Sequence, residues 1–100
     1  MDFQVRIAKA ALDDFAAIIE YSWAYFPANT ERFGKAILNH LDLLGSFPYI
    51  GTPVAGRDGV RRLLHTPIVI YYRVMRNPNV VEILHFQHSS RGEPPPYFHT

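Results

Sequence analysis

Arginine, histidine and tyrosine are the residues of this 100-residue chain best suited to chemistry, and they gather toward its end. Every cation after position 56 is an arginine: Arg57, Arg61, Arg62, Arg73, Arg76 and Arg91. A guanidinium stays charged and presents a planar fork that grips phosphate or carboxylate with two hydrogen bonds. RNA can be cut without a metal when a base takes the 2′-hydroxyl proton, an acid protonates the leaving oxygen, and cations hold the charge growing on phosphate. Arg62, His88, Arg91 and Tyr97 are the right residue types for that division of labour. Each also has an ordinary structural reading: a strand-face arginine, a strand-end histidine, a solvated arginine, and an aromatic ring packing the tail onto the domain.

Other chemistries find less support. The chain has no cysteine, which removes disulfides, thiolate zinc sites, iron–sulfur clusters and a cysteine nucleophile. His85 and His88 stand three apart on a strand-like segment and so point to opposite faces, which argues against a shared metal. His40 and His65 have no carboxylate or histidine at ligand spacing in the sequence. Gly51, Gly56 and Gly59 are too far apart for a phosphate-cradling loop and precede no helix. Ser89 and Ser90 lie beside His88 without a nucleophile elbow. No metal and no cofactor are expected.

These side chains must be positioned by a small set of elements. Phe3, Val5 and Ile7 alternate with Gln4 and Arg6, the period of a strand with one buried face. From Lys9 to Phe26, Leu12, Phe15, Ala16, Ile19, Trp23 and Phe26 recur at spacings of three and four, predicting a helix whose stripe Ile18, Tyr21 and Tyr25 widen. Pro27 stops that helix. Asn29 or Thr30 is expected to cap a second one, with Phe33, Ile37, Leu41 and Leu44 inward and Gly45 at its end. The short link between them predicts an antiparallel helical hairpin. Residues 47–59 carry Pro48, Gly51, Pro53, Gly56 and Gly59, too many breakers for a regular element. Three strands follow, Val60–Leu64, Ile68–Met75 and Val80–His88, the last two joined by the turn-forming Arg76-Asn77-Pro78-Asn79. The order β-α-α-β-β-β predicts an α+β fold: an antiparallel sheet, joined by the N-terminal strand, with the helical hairpin on one face.

Length and composition bound the rest. One hundred residues with 48% hydrophobic and 19% charged side chains predict one folded domain spanning 1–100, with 92–100 a Pro-rich tail. No signal peptide opens the chain and no apolar run approaches the length of a membrane span, so a soluble, cytoplasmic protein is expected. The net charge of +1 conceals an asymmetry. Residues 1–56 hold four basic against six acidic side chains; residues 57–100 hold six against three. The sheet half is thus a candidate surface for an anionic partner, although arginines on strand faces are often only solvated.

The ordered set Phe33-x-x-Ala36-Ile37-x-x-x-Leu41-x-x-Leu44, Pro48-x-x-Gly51-x-Pro53, Gly59-x-Arg61-Arg62-x-Leu64, Ile68-Val69-Ile70-Tyr71-Tyr72-Arg73-Val74 and Val81-x-Ile83-Leu84-x-x-x-His88-x-x-Arg91 resembles the RelE/ParE superfamily of bacterial toxins from type II toxin–antitoxin systems. The resemblance runs over residues 3–91 and implies the same α+β fold. It also implies a small cognate antitoxin, ParD-like or other, that wraps and neutralises the toxin in a hetero-oligomer. Tyr21, Tyr25 and Arg73 are the candidate antitoxin contacts. The superfamily divides by target: RelE-like members cleave messenger RNA on the ribosome, whereas ParE-like members act on DNA gyrase. RelE-like toxins usually carry an arginine early in the third sheet strand, where this chain has Val69, and a lysine-rich stretch before the sheet, where Arg57-Asp58-Gly59-Val60-Arg61-Arg62 has no lysine. Arg91 and Tyr97, six apart, are similar to a RelE-like arginine and tyrosine pair. The Tyr71-Tyr72-Arg73-Val74 strand with the terminal His88-x-x-Arg91 looks closer to the ParE branch. The reading favoured is a plasmid-stabilisation toxin that inhibits DNA gyrase by binding, with no catalytic residue and with Arg61, Arg62, Arg73, His88 and Arg91 as candidate target contacts. Two alternatives stay open: a ribosome-dependent endoribonuclease using Arg62, His88, Arg91 and Tyr97, and a non-toxic binding module of the same fold.

Overall fold

The computed structural model describes residues 2–89, so Arg91, Tyr97 and the Pro-rich tail at 92–100 lie outside the described residues. Seven elements run in the order β1 (Gln4–Ile7), α1 (Lys9–Tyr25), α2 (Pro27–Ser46), β2 (Thr52–Pro53), β3 (Val60–His65), β4 (Ile68–Met75) and β5 (Val80–His88). The strands form one sheet in the order β1-β5-β4-β3-β2. The β3–β4–β5 meander is antiparallel, as its short connections require. β1 joins parallel to β5, pairing Val5 with Val81 and Ile7 with Ile83, so the sheet is mixed. Two intervening helices make that possible, since a parallel neighbour needs a long crossover.

The helical hairpin is tighter than its sequence suggests. Pro27 ends α1 and also opens α2, standing in the first turn where its missing N–H costs nothing. Phe26 alone separates the helices, and neither Asn29 nor Thr30 is the cap. Thr30 instead lies buried inside α2, its hydroxyl 2.9 Å from Ser22 Oγ on α1 and donating to Phe26 O at 3.2 Å. Gly45 does not end α2 either, because the helix continues to Ser46. Its carbonyl accepts Phe3 N–H at 2.8 Å, and a Cβ there would come within 3.0 Å of Phe3 O. Glycine at 45 therefore lets β1 pass directly against the helix.

The main core lies between helices and sheet. Ala11, Ile37, Leu41 and Leu44 meet Ile68, Ile70, Tyr72, Val81, Ile83 and Phe86, with Phe3, Val5, Phe15 and Ile18 packed around them. α2 buries the face its periodicity marks. α1 does not: its inward stripe is Ala11, Phe15, Ile18 and Ser22, while Leu12, Trp23 and Phe26, expected inward, are exposed. A smaller cluster of Val54, Val60 and Tyr71, flanked by Val69 and Leu84, sits on the sheet face away from the helices. Residues 47–59 are not wholly irregular, since Thr52 and Pro53 pair with Arg62 and Arg61 as the edge strand β2. An edge tolerates proline because one side of the strand needs no donor.

Candidate functional site

Strand alternation sorts the predicted residues between two faces. Tyr72 and Val74 pack into the core against the helices, so Arg73 between them projects to the far face. Arg62 pairs with Tyr71, projects the same way and is exposed. Arg73 pairs with Val60, two residues before Arg62 on β3, which sets the two arginines diagonally on one surface. The same register aligns Arg6, Glu82 and Arg73 across three strands. Arg62 and Arg73 therefore share this far face with Arg6 and with the carboxylate of Glu82.

Arg61 and His88 belong elsewhere. Arg61 faces the helix side, opposite Tyr72, and is occupied structurally. Its guanidinium donates to Gly51 O at 2.7 Å and Tyr49 O at 3.3 Å and lies over the Tyr49 ring, 5.1 Å from the centroid. Arg76 closes the other side of Tyr49 through two hydrogen bonds to its hydroxyl, at 3.2 and 3.0 Å. Gly51 completes this knot: its N–H donates to Tyr72 Oη at 2.9 Å, and a Cβ there would lie 2.5 Å from Arg62 O. Burial pushes the Tyr72 hydroxyl above its ordinary pKa, against the smaller opposing pull of the Gly51 N–H and the Arg61 charge. His88 pairs with Ile68, a core residue, at the end of the sheet on the helix side. Arg62 and His88 thus stand on opposite faces.

Sequence reasoning missed Asp14. β1 ends at Ile7, and beyond it the outer edge of β5 would leave backbone donors unpaired. Asp14 on α1 fills that place: one carboxylate oxygen accepts Phe86 N–H at 3.1 Å and lies 2.9 Å from His85 Nδ1. His85 pairs with Tyr71, which pairs with Arg62, so an arginine, a tyrosine and a carboxylate-held histidine align across the sheet. A β-bulge at Leu84 makes this row, because the register shifts between Tyr71 and Tyr72. Tyr71 and His85 are buried, 1% and 6% exposed. A contact spanning 71 residues leaves no local signal.

The outer face of α1 forms a second candidate surface. Tyr21 and Tyr25, one turn apart, stack with centroids 4.6 Å apart and are both exposed. They wall a shallow groove floored by Ala17 and Ala24 and flanked by Asp13 and Glu20. Arg73, the third predicted antitoxin contact, is on the far sheet face and does not join them. Among the described residues no cluster of three histidines or carboxylates is placed to hold a metal, and no helix is long and apolar enough to cross a membrane.

A family model for the ParE toxin of the type II toxin–antitoxin system parDE matches residues 5–92. The chain belongs to the ParE toxin family. No curated protein matches it. Among solved structures, this ParE-family toxin resembles a chain of the chromosomal ParDE system of P. aeruginosa at 21% identity, covering 86% of this chain and 95% of that one with a TM-score of 0.74. A chain of the RelBE2 toxin–antitoxin complex of Mycobacterium tuberculosis also matches at 21% identity, covering 88% and 99%, with a TM-score of 0.67. A mutant of the E. coli toxin RelE in the free state matches at 14% identity, covering 92% and 88%, with a TM-score of 0.63. At such identities these structures show the shared fold, whereas the family model carries the assignment.

Proposed function

We propose that this ParE-family toxin acts by docking on DNA gyrase rather than by catalysis, and that a cognate antitoxin neutralises it by covering the α1 groove and the arginine face. The observation that carries the non-catalytic reading is the separation of Arg62 from His88 by the thickness of the sheet. A nuclease needs its phosphate clamp and its proton-transfer group on one phosphodiester. Val69, at the position where RelE-like toxins carry an arginine, supports the same reading.

The two surfaces call for different antitoxin chemistry. Tyr21 and Tyr25 present apolar area with little rotamer freedom to lose, and Asp13 and Glu20 beside them favour an apolar segment flanked by lysine or arginine. Arg62 and Arg73 favour an acidic stretch. An antitoxin that reached both would bury the surface offered to gyrase. The proposal is tested by supercoiling with purified gyrase: loss of activity with rising toxin, restored by antitoxin, is expected, and full activity at saturating toxin overturns it. The row Arg62, Tyr71, His85 and Asp14 is the observation that favours ribosome-dependent cleavage instead. Codon-phased cuts in a translation reaction, abolished by Arg62→Ala, would establish that alternative.

A further inference from the structure

The loop between β2 and β3 folds back on itself more tightly than its run of breakers predicts. Arg57 N–H donates to Val54 O at 3.1 Å, Val60 N–H to Arg57 O at 3.1 Å, and Val54 N–H to Val60 O at 2.9 Å. Two four-residue turns thus stand in series, and the third residue of each is a glycine at φ 75, Gly56 and then Gly59. Positive φ at that place is what a type II turn demands, and glycine meets it without strain. Beside this fixed backbone opens a shallow cavity of about 580 Å³, lined by Pro53, Val54, Arg57, Asp58, Val60 and Arg61.

Two guanidinium groups meet this cavity with donors to spare. Both structural bonds of Arg61, to Gly51 O and Tyr49 O, use one Nη, so Nε and the other Nη are left for a ligand. Arg57 is half-buried, and its Nε is sealed from solvent with no acceptor. A sealed donor has given up its water without gaining a bond, and such a group calls for an ion or a bound molecule. Neither arginine has a carboxylate within ion-pair distance among the described residues, although Asp58 lines the same cavity.

We propose that the β2–β3 loop binds the phosphoryl group of a small phosphate monoester of about nucleotide size. A phosphate dianion matches two guanidinium charges, and each fork can offer a pair of N–H groups to its oxygens. No hydrogen bond holds the Arg57 fork, so a phosphate oxygen can draw its Nε–H out to itself. The cavity falls in the size range of ordinary small-molecule sites and is larger than bare phosphate fills, and Pro53 and Val54 give the body of the ester an apolar wall. This is not the glycine-rich cradle before a helix that the sequence lacks: here the glycines shape the loop and the arginines bind. Neither Arg62 nor Arg73 lines the cavity, so the site does not depend on the gyrase reading.

The full chain, labelled with nitrogen-15, is titrated at pH 7.5 and constant ionic strength with inorganic phosphate, adenosine 5′-monophosphate and adenosine. Backbone amides and arginine Nε–H signals are followed by NMR. Saturable shifts at residues 54–61 and at Arg57 Nε are expected with the monophosphate, weaker ones with phosphate, and none with adenosine. Arg57→Gln should weaken monophosphate binding about tenfold or more, the scale of one lost charge-assisted contact. Asp58→Asn, which removes the carboxylate from the cavity wall, should tighten it about twofold or more. Shifts that never saturate, or that fall equally on Arg62 and Arg73, reduce phosphate to a general counter-ion and overturn the site. Unchanged affinity in Arg57→Gln does the same. Stronger competition from a short oligonucleotide without a terminal phosphate would show that the loop reads a diester backbone, and the monoester assignment would fall. The wild-type titration decides the matter even where a variant fails to fold.

Discussion

The two helices of this toxin solve the same packing problem with different materials. α2 is held by apolar burial: Ile37, Leu41 and Leu44 face the sheet and are almost fully enclosed. α1 is richer in large apolar side chains yet keeps few of them inside, and Leu12, Tyr21, Trp23 and Tyr25 stand in solvent. Its attachment depends heavily on polar anchors, Asp14 to the edge of β5 and Ser22 to Thr30. A helix fastened in this way has apolar area to spare for a partner. The contrast therefore separates a helix that builds the fold from one that presents a surface.

The largest expected effect lies on α2. Leu44→Ala removes a fully buried side chain and should cost about 2 to 5 kcal/mol in unfolding free energy, measured by urea denaturation. Trp23→Ala, a larger truncation on α1, should change stability by no more than about 0.5 kcal/mol because the ring is already solvated. Comparable losses from the two substitutions would erase the distinction.

Asp14→Ala probes the polar anchoring of α1. It leaves Phe86 N–H without its acceptor and takes the carboxylate away from His85, with an expected cost of about 1 to 3 kcal/mol. Hydrogen exchange should rise at Phe86 and along α1 before it rises along α2. If exchange rises equally in both helices, α1 is not held separately by this carboxylate.

How much of this could be read in advance follows from the same contrast. α2 was legible because Phe33, Ile37, Leu41 and Leu44 recur on one face with Glu31, Lys35, Asn39 and Asp42 outside it, although Leu38 and Leu43 stay exposed and Thr30 is buried. α1 carries apolar side chains most of the way round, so periodicity could not say which arc meets the sheet: it included Phe15 and Ile18 but also pointed to Leu12, Trp23 and Phe26, and it passed over Ala11 and Ser22. β4 and β5 were plain in their runs of β-branched and aromatic residues, and Asn77, at φ 59, adopts the left-handed turn conformation expected of it. β2 was hidden by Pro53, which only an edge position excuses. Of the candidate residues, alternation correctly set His85 and His88 apart, but it could not foresee that Arg61 is occupied by Tyr49 and Gly51. Nor could it foresee the meeting of His40 with His65, whose Nδ1 atoms lie 2.9 Å apart. Those contacts depend on which loop and which helix pass by, and strand period is silent about both.

Tyr25→Ala tests whether the spare surface of α1 is used. Stability should stay within about 0.5 kcal/mol of wild type, while affinity for the cognate antitoxin, measured by calorimetry, should fall about tenfold or more if the stacked pair is a hot spot. Unchanged affinity would return the α1 aromatics to the status of idle surface.

The smallest effect, a pH dependence, reaches α2 through the contact of His40 with His65 at the end of β3. The folded-state pKa of His65 lies below its ordinary 6.5, through burial and then the charge of His40. Between those two values the unfolded chain binds more protons than the native one, so stability rises as pH rises there. The contribution of His65 is complete above about pH 6.5 and is lost as acid carries the solution down through the folded pKa. Carboxylates also lose native interactions in acid, so the comparison must be internal. In metal-free buffer, the Tm of wild type should drop more steeply from pH 7 to 5 than that of His65→Asn, which keeps a polar side chain without the titration. The first hydrogen exchange to quicken in wild type should be around His40 on α2, not around Asp14 on α1. Parallel Tm profiles would mean that protonating His65 loosens nothing, and that α2 holds to the sheet without help from this contact.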